Sequence, residues 1–484
     1  MTEKTDPPGT GTHSESVSPA ASPSLRAGTI NSRHLVFFVI AAAAPLTILV
    51  GFAPLGLMVS GAALPVGYII PGIVYLLFAV GFTAMSRHIR GAGAFYAYIT
   101  EGLGKVVGSG ASVVAYVGYL GGQIGFVVAC GIFMSSTLEF LLGISLSVYA
   151  CSLAVAVLVA VVGYRRVDIG ARVLAVLMAL ELGVLAVFCV AVLIKGGHEG
   201  LSLDSFSPST FMTAGLAGVF VLTFTSFIGF EQTAIYSEEV VDSKRTVSRA
   251  TYTAVIVLAV VYSFCAWVIV QAVGPSRMAD FLGGDPSELI FDLNSEFAGT
   301  MMTEVMHLLI VTSFFAGCLA LHNACSRYLL TIGRARIFPS VLARVSPTTG
   351  TPSAAGITQG ALVFVAIGGF ALTPADPYTQ VVVWTNTPTI IGVLVLQILT
   401  SIAVLKFFSQ DARGEGLWQR LIAPSLAVMA LIVALGYISV NLSDMTGLTT
   451  AQNVLLIVPL LVAFAFGVFR GMQIRGSSIE EFSA

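Results

Sequence analysis

Charged residues are scarce in this chain of 484 residues: Asp, Glu, Lys and Arg make up 10% of it, and hydrophobic residues make up 56%. An ordinary soluble domain contains roughly a quarter of charged residues. The composition therefore excludes a typical soluble protein, because a water-soluble core cannot absorb so much apolar surface. The net charge of -2 says little about partners, since charge in a membrane protein is informative by its position. No nucleic-acid partner is expected.

Motifs for several enzyme and metal chemistries are also missing. There is no Gly-x-x-x-x-Gly-Lys-Ser/Thr phosphate loop, since Gly104-Lys105 continues with Val106, and no His-Glu-x-x-His or Gly-x-Ser-x-Gly motif. The six cysteines all lie in apolar stretches, which predicts buried thiols rather than disulfides or a metal site. ATP hydrolysis through such a loop is excluded, and neither a cofactor nor a metal is expected. An enzyme acting inside the membrane is the least favoured alternative.

Long apolar stretches, in contrast, recur from residue 35 to residue 470. About 20 mostly apolar residues cross a hydrocarbon layer of roughly 30 Å as a helix. The sequence therefore predicts an all-α integral membrane protein, whose surroundings are the lipid bilayer. The twelve predicted spans are 35–61, 64–86, 106–136, 144–163, 169–195, 214–238, 250–274, 301–332, 353–372, 379–407, 418–441 and 451–470.

The positions of the basic residues predict the orientation. If both ends are cytoplasmic, all of the 23 Lys and Arg except Lys195 and Arg277 fall in cytoplasmic segments. Basic residues are retained in the cytoplasm during insertion, and a missed or invented span would scramble this alternation. We therefore expect a multi-pass protein of the cell (cytoplasmic) membrane with cytoplasmic N- and C-termini. Residues 1–33 and 476–484 are expected to be tails, the first of them disordered, and the acidic segment 275–300 an external cap with short helices.

Two spans contain helix-breaking residues near their middles. The first reads Ala44-Pro45-Leu46-Thr47 and the sixth reads Thr225-Ser226-Phe227-Ile228-Gly229. Irregular backbone is tolerated at membrane depth only beside protein or a water-filled cavity. The two spans are corresponding members of two five-helix halves, 34–195 and 196–407, which is typical of inverted repeats with a ligand at the midplane. Residues 408–475 supply two further helices. Ordinary proline and glycine kinks are the alternative.

Four groups of residues, in this order and spacing, resemble the amino acid, polyamine and organocation (APC) permeases. They cover most of the chain from residue 35. The residues are Gly229-Phe230-Glu231 with Glu238-Glu239, Asp242, Lys244-Arg245 and Arg249-Ala250; Gly91 to Tyr98 with Gly104; Ala171-Arg172; and Asn323 to Arg327 with Gly333-Arg334 and Phe338-Pro339.

This resemblance implies a fold and a function. The fold is an all-α integral membrane protein of twelve transmembrane helices, with a 5+5 inverted repeat (the LeuT-like fold), two C-terminal helices, and helices 1 and 6 broken. The function is that of a permease, a secondary transporter that moves an amino acid by alternating access, with H⁺ or Na⁺ coupling or by exchange. Members commonly have a Gly-Ser-Gly type break in helix 1, which this chain lacks. The resemblance therefore locates the carboxylate-binding positions only to within a few residues.

The two interruptions predict where a substrate binds. Free amides at a half-helix N-terminus bind a carboxylate, and freed carbonyls bind a cation. A substrate with an amino acid's two charges would use both. The predicted substrate-binding residues are Ala44, Leu46, Thr47 and Ile48 near the carboxylate, Phe224, Ser226, Phe227 and Ile228 near the ammonium, and Tyr119 and Gln123, on one face of the third span, near the side chain.

Glu181, in the fifth span, is the first candidate for coupling. One helical turn away lie Leu177, Met178, Val184 and Leu185, none of which can form a hydrogen bond with it. Its partner must come from another helix or from water. Burial favours the neutral form, which suits a group that binds and releases a proton. By resemblance, some bacterial relatives have a lysine at this position, and that lysine occupies the place of the sodium ion of sodium-coupled members. The alternative to a coupling role for Glu181 is a structural hydrogen bond to a neighbouring helix.

Three further residues are candidates for coupling or gating. By resemblance, Glu231 matches an acid that is linked to gating in many relatives; alternatively, it anchors the unwound backbone or a facing tyrosine. Phe230 could close over a substrate together with Phe224 and Phe227, although phenylalanines in membrane helices are commonly packing residues. Asn323 in the eighth span could hold a loop, a water or an ion, and a structural role is favoured.

Two rival functions remain open. One is a permease for polyamines or other organic cations, in which Glu181 and Glu231 bind the substrate directly. The other is a sensor or channel on the same scaffold. The sequence leaves open which amino acid or amine is the small-molecule partner, which ion is coupled, and whether the protein is a monomer or a homodimer.

Overall fold

The structure is a computed structural model that describes residues 44–89, 94–165, 171–212, 215–231, 233, 243–278, 283–347 and 350–480. Some predicted features lie outside the described residues. They are the tail 1–33, the first part of the first span, Gly91 to Gly93, Glu238, Glu239 and Asp242 of the permease signature, and residues 481–484.

The described residues form helices and connecting loops, without a strand. In chain order, the helices are α1 Pro45–Gly51, α2 Ala53–Ser60, α3 Leu64–Ser86, α4 Ala94–Leu103, α5 Lys105–Leu142, α6 Val148–Arg165, α7 Ala171–Lys195, α8 Pro208–Phe211, α9 Gly215–Thr225, α10 Ser243–Val273, α11 Leu289–Ala298, α12 Thr300–Arg334, α13 Ser353–Phe370, α14 Val383–Gln410, α15 Ala423–Val440, α16 Leu442–Thr446 and α17 Thr450–Glu480. Two π-helical turns, Pro377–Val382 and Trp418–Ile422, lead directly into α14 and α15.

Ten helical runs among the described residues are long and apolar enough to cross a membrane. They match predicted spans two to five and seven to twelve, and the run Ala53–Ser86 also contains the end of the first span. The first and sixth spans form no separate run, because their described helices are short: α9 has 11 residues. The chain is thus an all-α, multi-pass membrane protein, whereas the count of twelve and the inverted repeat stay predictions. Helix α17 continues past residue 475, into the segment expected to be a tail.

Helix α5 lies at the centre of the bundle. It has 38 residues, a length of about 57 Å, and it packs against α6, α12, α14 and α17. A Cβ added at Gly121 would lie 2.6 Å from the carbonyl oxygen of Thr385, and one at Gly125 would lie 2.6 Å from Nδ2 of Asn386. Small residues let helix backbones approach closely within a membrane. The glycine row of the third span, Gly118, Gly121, Gly122 and Gly125, is therefore a helix–helix contact, and its partner is α14.

The helix packing predicts a strong effect of Gly102→Ala in α4. The added Cβ would lie 2.5 Å from the carbonyl oxygen and 2.7 Å from the Cα of Ala403 in α14. Since backbone atoms cannot move away without shifting a helix, we expect the free energy of unfolding to fall by about 1–3 kcal/mol, measured as a lower melting temperature in detergent. Gly183→Ala is the control, because its methyl group meets no atom within 4 Å. Equal melting temperatures of the two variants would refute the close contact.

The acidic segment 275–300 contains two short helices, as the sequence predicts: a 3₁₀ turn at Pro275–Arg277 and α11. Lys195 Nζ, at the end of α7, donates to the carbonyl oxygen of Glu296 at 2.8 Å. His198 Nε2 lies 3.2 Å from Oε2 of the same residue. These bonds join the cap to the end of the fifth span.

Candidate functional site

The described part of the first span begins with a residue of irregular backbone. Ala44 has φ 43° and ψ 70°, a left-handed conformation that residues other than glycine rarely adopt. Pro45, the first residue of α1, has no N–H to leave unpaired and has the φ that a helix start requires. At Phe52 φ is -126°, but its N–H donates to the carbonyl of Ile48 at 3.1 Å, so the helix bends there and continues. This helix start lies at the residues where the sequence predicts an interruption, and the residues before Ala44 lie outside the described part of the chain.

The first turn of α1 offers fewer free amides than the sequence predicts. The N–H of Ile48 donates to the carbonyl oxygen of Ala44 at 3.1 Å, and Pro45 has no N–H. The amides of Leu46 and Thr47 belong to the first turn, where no acceptor exists in the same helix, and both residues are fully buried. The Ile48 amide is therefore committed to the helix, whereas the contacts of Ala44, Leu46 and Thr47 with a carboxylate stay predictions.

In the sixth span, the described helix ends within the predicted interruption. Helix α9 ends at Thr225, and residues 226–231 form turns. Gly229 has φ 119°, which side-chain-bearing residues rarely tolerate. Helix α9 therefore ends at the predicted break, and the rest of the sixth span, apart from Thr233, lies outside the described residues.

The carbonyl groups at this break differ in their hydrogen bonds. That of Phe224 accepts from the hydroxyl of Tyr75 at 3.0 Å and from the N–H of Phe227 at 3.4 Å. That of Phe227 accepts from the N–H of Phe230 at 3.4 Å. The carbonyl of Ser226 accepts no hydrogen bond from any residue that the structure describes. Of the four residues predicted near the ammonium, Ser226 and Ile228 have carbonyls that accept no hydrogen bond from a described residue, which leaves them the most acceptor capacity for a cation.

The phenylalanines of the break pack around one tyrosine. Phe224, Phe227 and Phe230 are fully buried, and their ring centroids lie 5.4, 5.4 and 5.2 Å from that of Tyr75 in α3. Such separations are typical of favourable aromatic pairs. In this conformation the three rings pack the break against α3, Ile228 is half-buried, and closure over a substrate stays a prediction.

Glu181 receives its hydrogen bond from another helix. Ser313 Oγ in α12 donates to Glu181 Oε2 at 3.0 Å, and Thr47 Oγ1 in α1 donates to Ser313 Oγ at 2.9 Å. Glu181 is 7% exposed and forms no salt bridge with a described residue. A charged carboxylate is costly in such surroundings. The three side chains, which we name the Glu181 relay, connect α7, α12 and the first turn of α1.

Glu231 anchors the break. The hydroxyl of Tyr119 donates to its Oε1 at 2.7 Å, and the N–H of Gly229 donates to its Oε2 at 2.8 Å. Tyr119 stacks on Tyr328 of α12, with ring centroids 5.6 Å apart. The sequence proposed an anchor to the unwound backbone or to a facing tyrosine, and Glu231 makes both contacts. Tyr119, expected near a substrate side chain, is here a partner of Glu231.

Gln123 belongs to a separate chain of buried polar groups. Its Nε2 lies 3.3 Å from Nδ1 of His322, and its Oε1 accepts from Gln359 Nε2 at 2.6 Å. The hydroxyl of Tyr116 donates to Gln359 Oε1 at 3.0 Å. These bonds connect α5, α12 and α13 and reach neither interruption. The structure does not bring Gln123 to the predicted substrate-binding residues.

Asn323 is exposed on α12 and joins none of these networks. Ser313, ten positions earlier on the same helix, is the residue that reaches Glu181. At 100° per residue, the two side chains differ in direction by about 80° around the helix. The coupling role considered for Asn323 gains no support from this position.

Sequence reasoning missed Ser313, Tyr75, Gln359 and His322. Each is a polar residue within an apolar span, which is a visible signal, but its direction depends on how the helices are rotated against one another. Over the described residues, no group of three or more His, Cys, Asp or Glu side chains is placed to hold a metal ion. All six cysteines are buried, as their apolar surroundings predict.

Comparisons with known proteins agree with this architecture. A family model described as amino acid permease matches residues 33–466. An uncharacterized transporter of Mycobacterium tuberculosis is 27% identical over 309 residues, which cover 63% of this chain and 66% of the relative. Cationic amino acid transporter 6 of Arabidopsis thaliana is 24% identical over 60% of this chain and 52% of its own length. The low-affinity putrescine importer PlaP of Escherichia coli is 23% identical over 62% of this chain and 67% of its own length. The chain spans slightly less than two thirds of the first of these relatives.

Proposed function

Since the chain belongs to the amino acid permease family, we propose that it moves an amino acid across the cytoplasmic membrane by alternating access. It is a transporter of the APC superfamily and not an enzyme; the substrate, the coupling and the mechanism are the proposed parts. Two helix ends support the proposal: the first described helix begins at Pro45, after Ala44 in a left-handed conformation, and helix α9 ends at Thr225. We infer that these ends are the predicted interruptions of the first and sixth spans. Interrupted helices of this kind present backbone dipoles to a substrate at the midplane.

The backbone groups at the two helix ends favour a substrate with both charges. The first-turn amides of Leu46 and Thr47 suit a carboxylate, since they carry the positive end of a helix dipole. The carbonyl of Ser226 suits an ammonium group. An amino acid carries both groups on one carbon atom.

The Glu181 relay supports proton coupling. Thr47 contributes both a first-turn amide and the hydroxyl that donates to Ser313. A substrate carboxylate at Thr47 would therefore alter the hydrogen bonds of Glu181, which links substrate binding to protonation. In the same proposal, segments 34–195 and 196–407 are the two inverted repeats, and both termini face the cytoplasm.

A polyamine or another organic cation is the second candidate. It is favoured by the two buried acids, Glu181 and Glu231, and by the name of the Escherichia coli relative, a putrescine importer. Against it, both oxygens of Glu231 accept hydrogen bonds within the protein. A cation would have to displace Tyr119 or the N–H of Gly229.

Competition by an amidated amino acid separates the two candidates. A thermal-shift screen of amino acids and amines first identifies a ligand, because a ligand bound only by the folded state raises the apparent stability. We then expect the C-terminal amide of that amino acid to compete at least about tenfold more weakly in proteoliposome uptake. The physical reason is the loss of a charged hydrogen-bond acceptor, worth ~1.5–3 kcal/mol. If the amide and putrescine compete as strongly as the free amino acid, the result would support the organic-cation carrier instead.

A further inference from the structure

A groove of about 560 Å³ lies between α3 and α10, beneath the loop that precedes α8. Its walls include Ile73 and Leu76 of α3, Val260 and Phe264 of α10, and Phe206 of the loop. We propose that this groove binds one acyl chain of a membrane phospholipid. The proposal concerns a different surface from the substrate site and does not depend on which substrate is transported.

The chemistry of the groove excludes a polar occupant. Its two side chains with polar atoms are already engaged: Ser263 Oγ donates to the carbonyl of Pro65 at 3.0 Å, and Trp267 Nε1 donates to the carbonyl of Ser202 at 2.8 Å. The remaining lining is aliphatic or aromatic. Only contact with hydrocarbon is favourable for such a surface.

The length and the position of the groove suit one lipid chain. From Ile256 to Trp267, α10 advances about 16 Å, which is about half of the roughly 30 Å hydrocarbon thickness of a bilayer. Trp267, toward the C-terminal end of α10, and the loop residue Phe206 both line the groove. Tryptophan is enriched at the level of the lipid headgroups. An acyl chain of the leaflet on that side would run along the groove, with its headgroup near Trp267.

The shape of the groove disfavours a second copy of this chain. Helices associate within membranes through small residues that let their backbones approach. Here the rim carries the branched side chains of Ile73 and Val260, which are 55% and 62% exposed. The small residues, Gly72 and Ala259, are occupied with each other: a Cβ added at Gly72 would lie 2.6 Å from that of Ala259. A helix could not reach this floor, whereas a flexible chain can follow it.

The floor of the groove also adjoins the break in the sixth span. The same Cβ position at Gly72 lies 3.7 Å from Cζ of Phe227. A lipid acyl chain in the groove would therefore pack against the α3–α10 contact next to Phe227. The lipid would stabilise this wall of the break without touching the substrate.

Photolabelling of the intact protein tests the proposal. The protein is reconstituted in nanodiscs that contain a phosphatidylethanolamine with a diazirine in one acyl chain, and labelled peptides are mapped by mass spectrometry. We expect labelling to concentrate on 69–76 and 256–267. Val260→Trp fills the groove from its rim and is expected to reduce this labelling at least about tenfold. Val365→Trp on α13, at a position that is 70% exposed, is the matched control and is expected to leave it unchanged.

Three results would overturn the proposal. One is labelling spread evenly over the exposed apolar faces of α10 and α13. Another is labelling of the groove that Val260→Trp does not reduce, while the melting temperature shows an intact fold. The third is cross-linking of Val260→Cys between two copies with no lipid label, which would identify the groove as a dimer contact.

Discussion

Glu181→Gln is expected to abolish accumulation of substrate driven by a pH gradient, while exchange of substrate across the membrane continues. Gln has nearly the same shape and can still accept the hydrogen bond from Ser313, but it cannot bind a proton at its carbonyl oxygen in this pH range. If one proton accompanies each substrate, a gradient of two pH units supplies about 2.7 kcal/mol, which corresponds to roughly 100-fold accumulation. The variant is expected to reach a ratio of about one.

The measurement compares two assays on the same proteoliposomes. Net uptake under an imposed pH gradient reports coupling, and counterflow without a gradient reports the substrate site and the conformational cycle. Glu304→Gln, which changes an exposed acid of α12, is the control and is expected to behave as wild type in both. Wild-type accumulation by Glu181→Gln, at equal protein density, would mean that Glu181 has only a structural hydrogen bond.

Glu231→Gln is expected to reduce the counterflow rate at least about tenfold and to lower the melting temperature. Both oxygens of Glu231 accept hydrogen bonds, one from Tyr119 and one from the N–H of Gly229. An amide has one acceptor oxygen and a donor NH₂ group, so Gln cannot accept both bonds. If its oxygen accepts from the N–H of Gly229, its NH₂ faces Tyr119, whose hydroxyl hydrogen then loses its acceptor. A buried donor left unsatisfied costs about 1–3 kcal/mol, and here the cost falls on the interrupted backbone of the sixth span.

Tyr119→Phe tests the same anchor from its other end. It removes one donor and leaves the bond to Gly229, so the expected loss of stability is smaller, about 0.5–1.5 kcal/mol. The double variant is expected to be non-additive, because the two residues share one hydrogen bond. Glu139→Gln, at an exposed position of α5, is the control. Strict additivity, or near wild-type counterflow and melting by Glu231→Gln, would show that the anchor does not hold the break.

Much of the fold could be predicted from the sequence, because lipid forces a spanning backbone to satisfy its own hydrogen bonds. Length and hydropathy therefore sufficed for spans such as 64–86 and 353–372, which are helices at almost these bounds. The helix start at Pro45 and the irregular backbone at Gly229 were equally predictable, since proline and glycine act on their own backbone. These features depend on local sequence.

The facing of side chains could not be predicted in the same way. A helix that is apolar all round has no polar face to show which side meets its neighbours. Sequence reasoning therefore selected Asn323 and missed Ser313, yet Ser313 is buried against Glu181 and Asn323 is exposed. Similarly, Tyr119 and Gln123 share a helix face but contact different networks. The Ile48 amide differs from that of Thr47 only because hydrogen bonding begins at Ile48.

Counterflow tests the central claim most directly. The claim is that one small ligand binds between the first and sixth spans and becomes accessible from each side of the membrane in turn. Proteoliposomes are loaded with a labelled amino acid identified by thermal shift, and its efflux is followed with and without the same unlabelled amino acid outside. Acceleration of efflux by the external substrate is the predicted result. Efflux that proceeds at the same rate in both cases, as through an open pore, would contradict alternating access at this site.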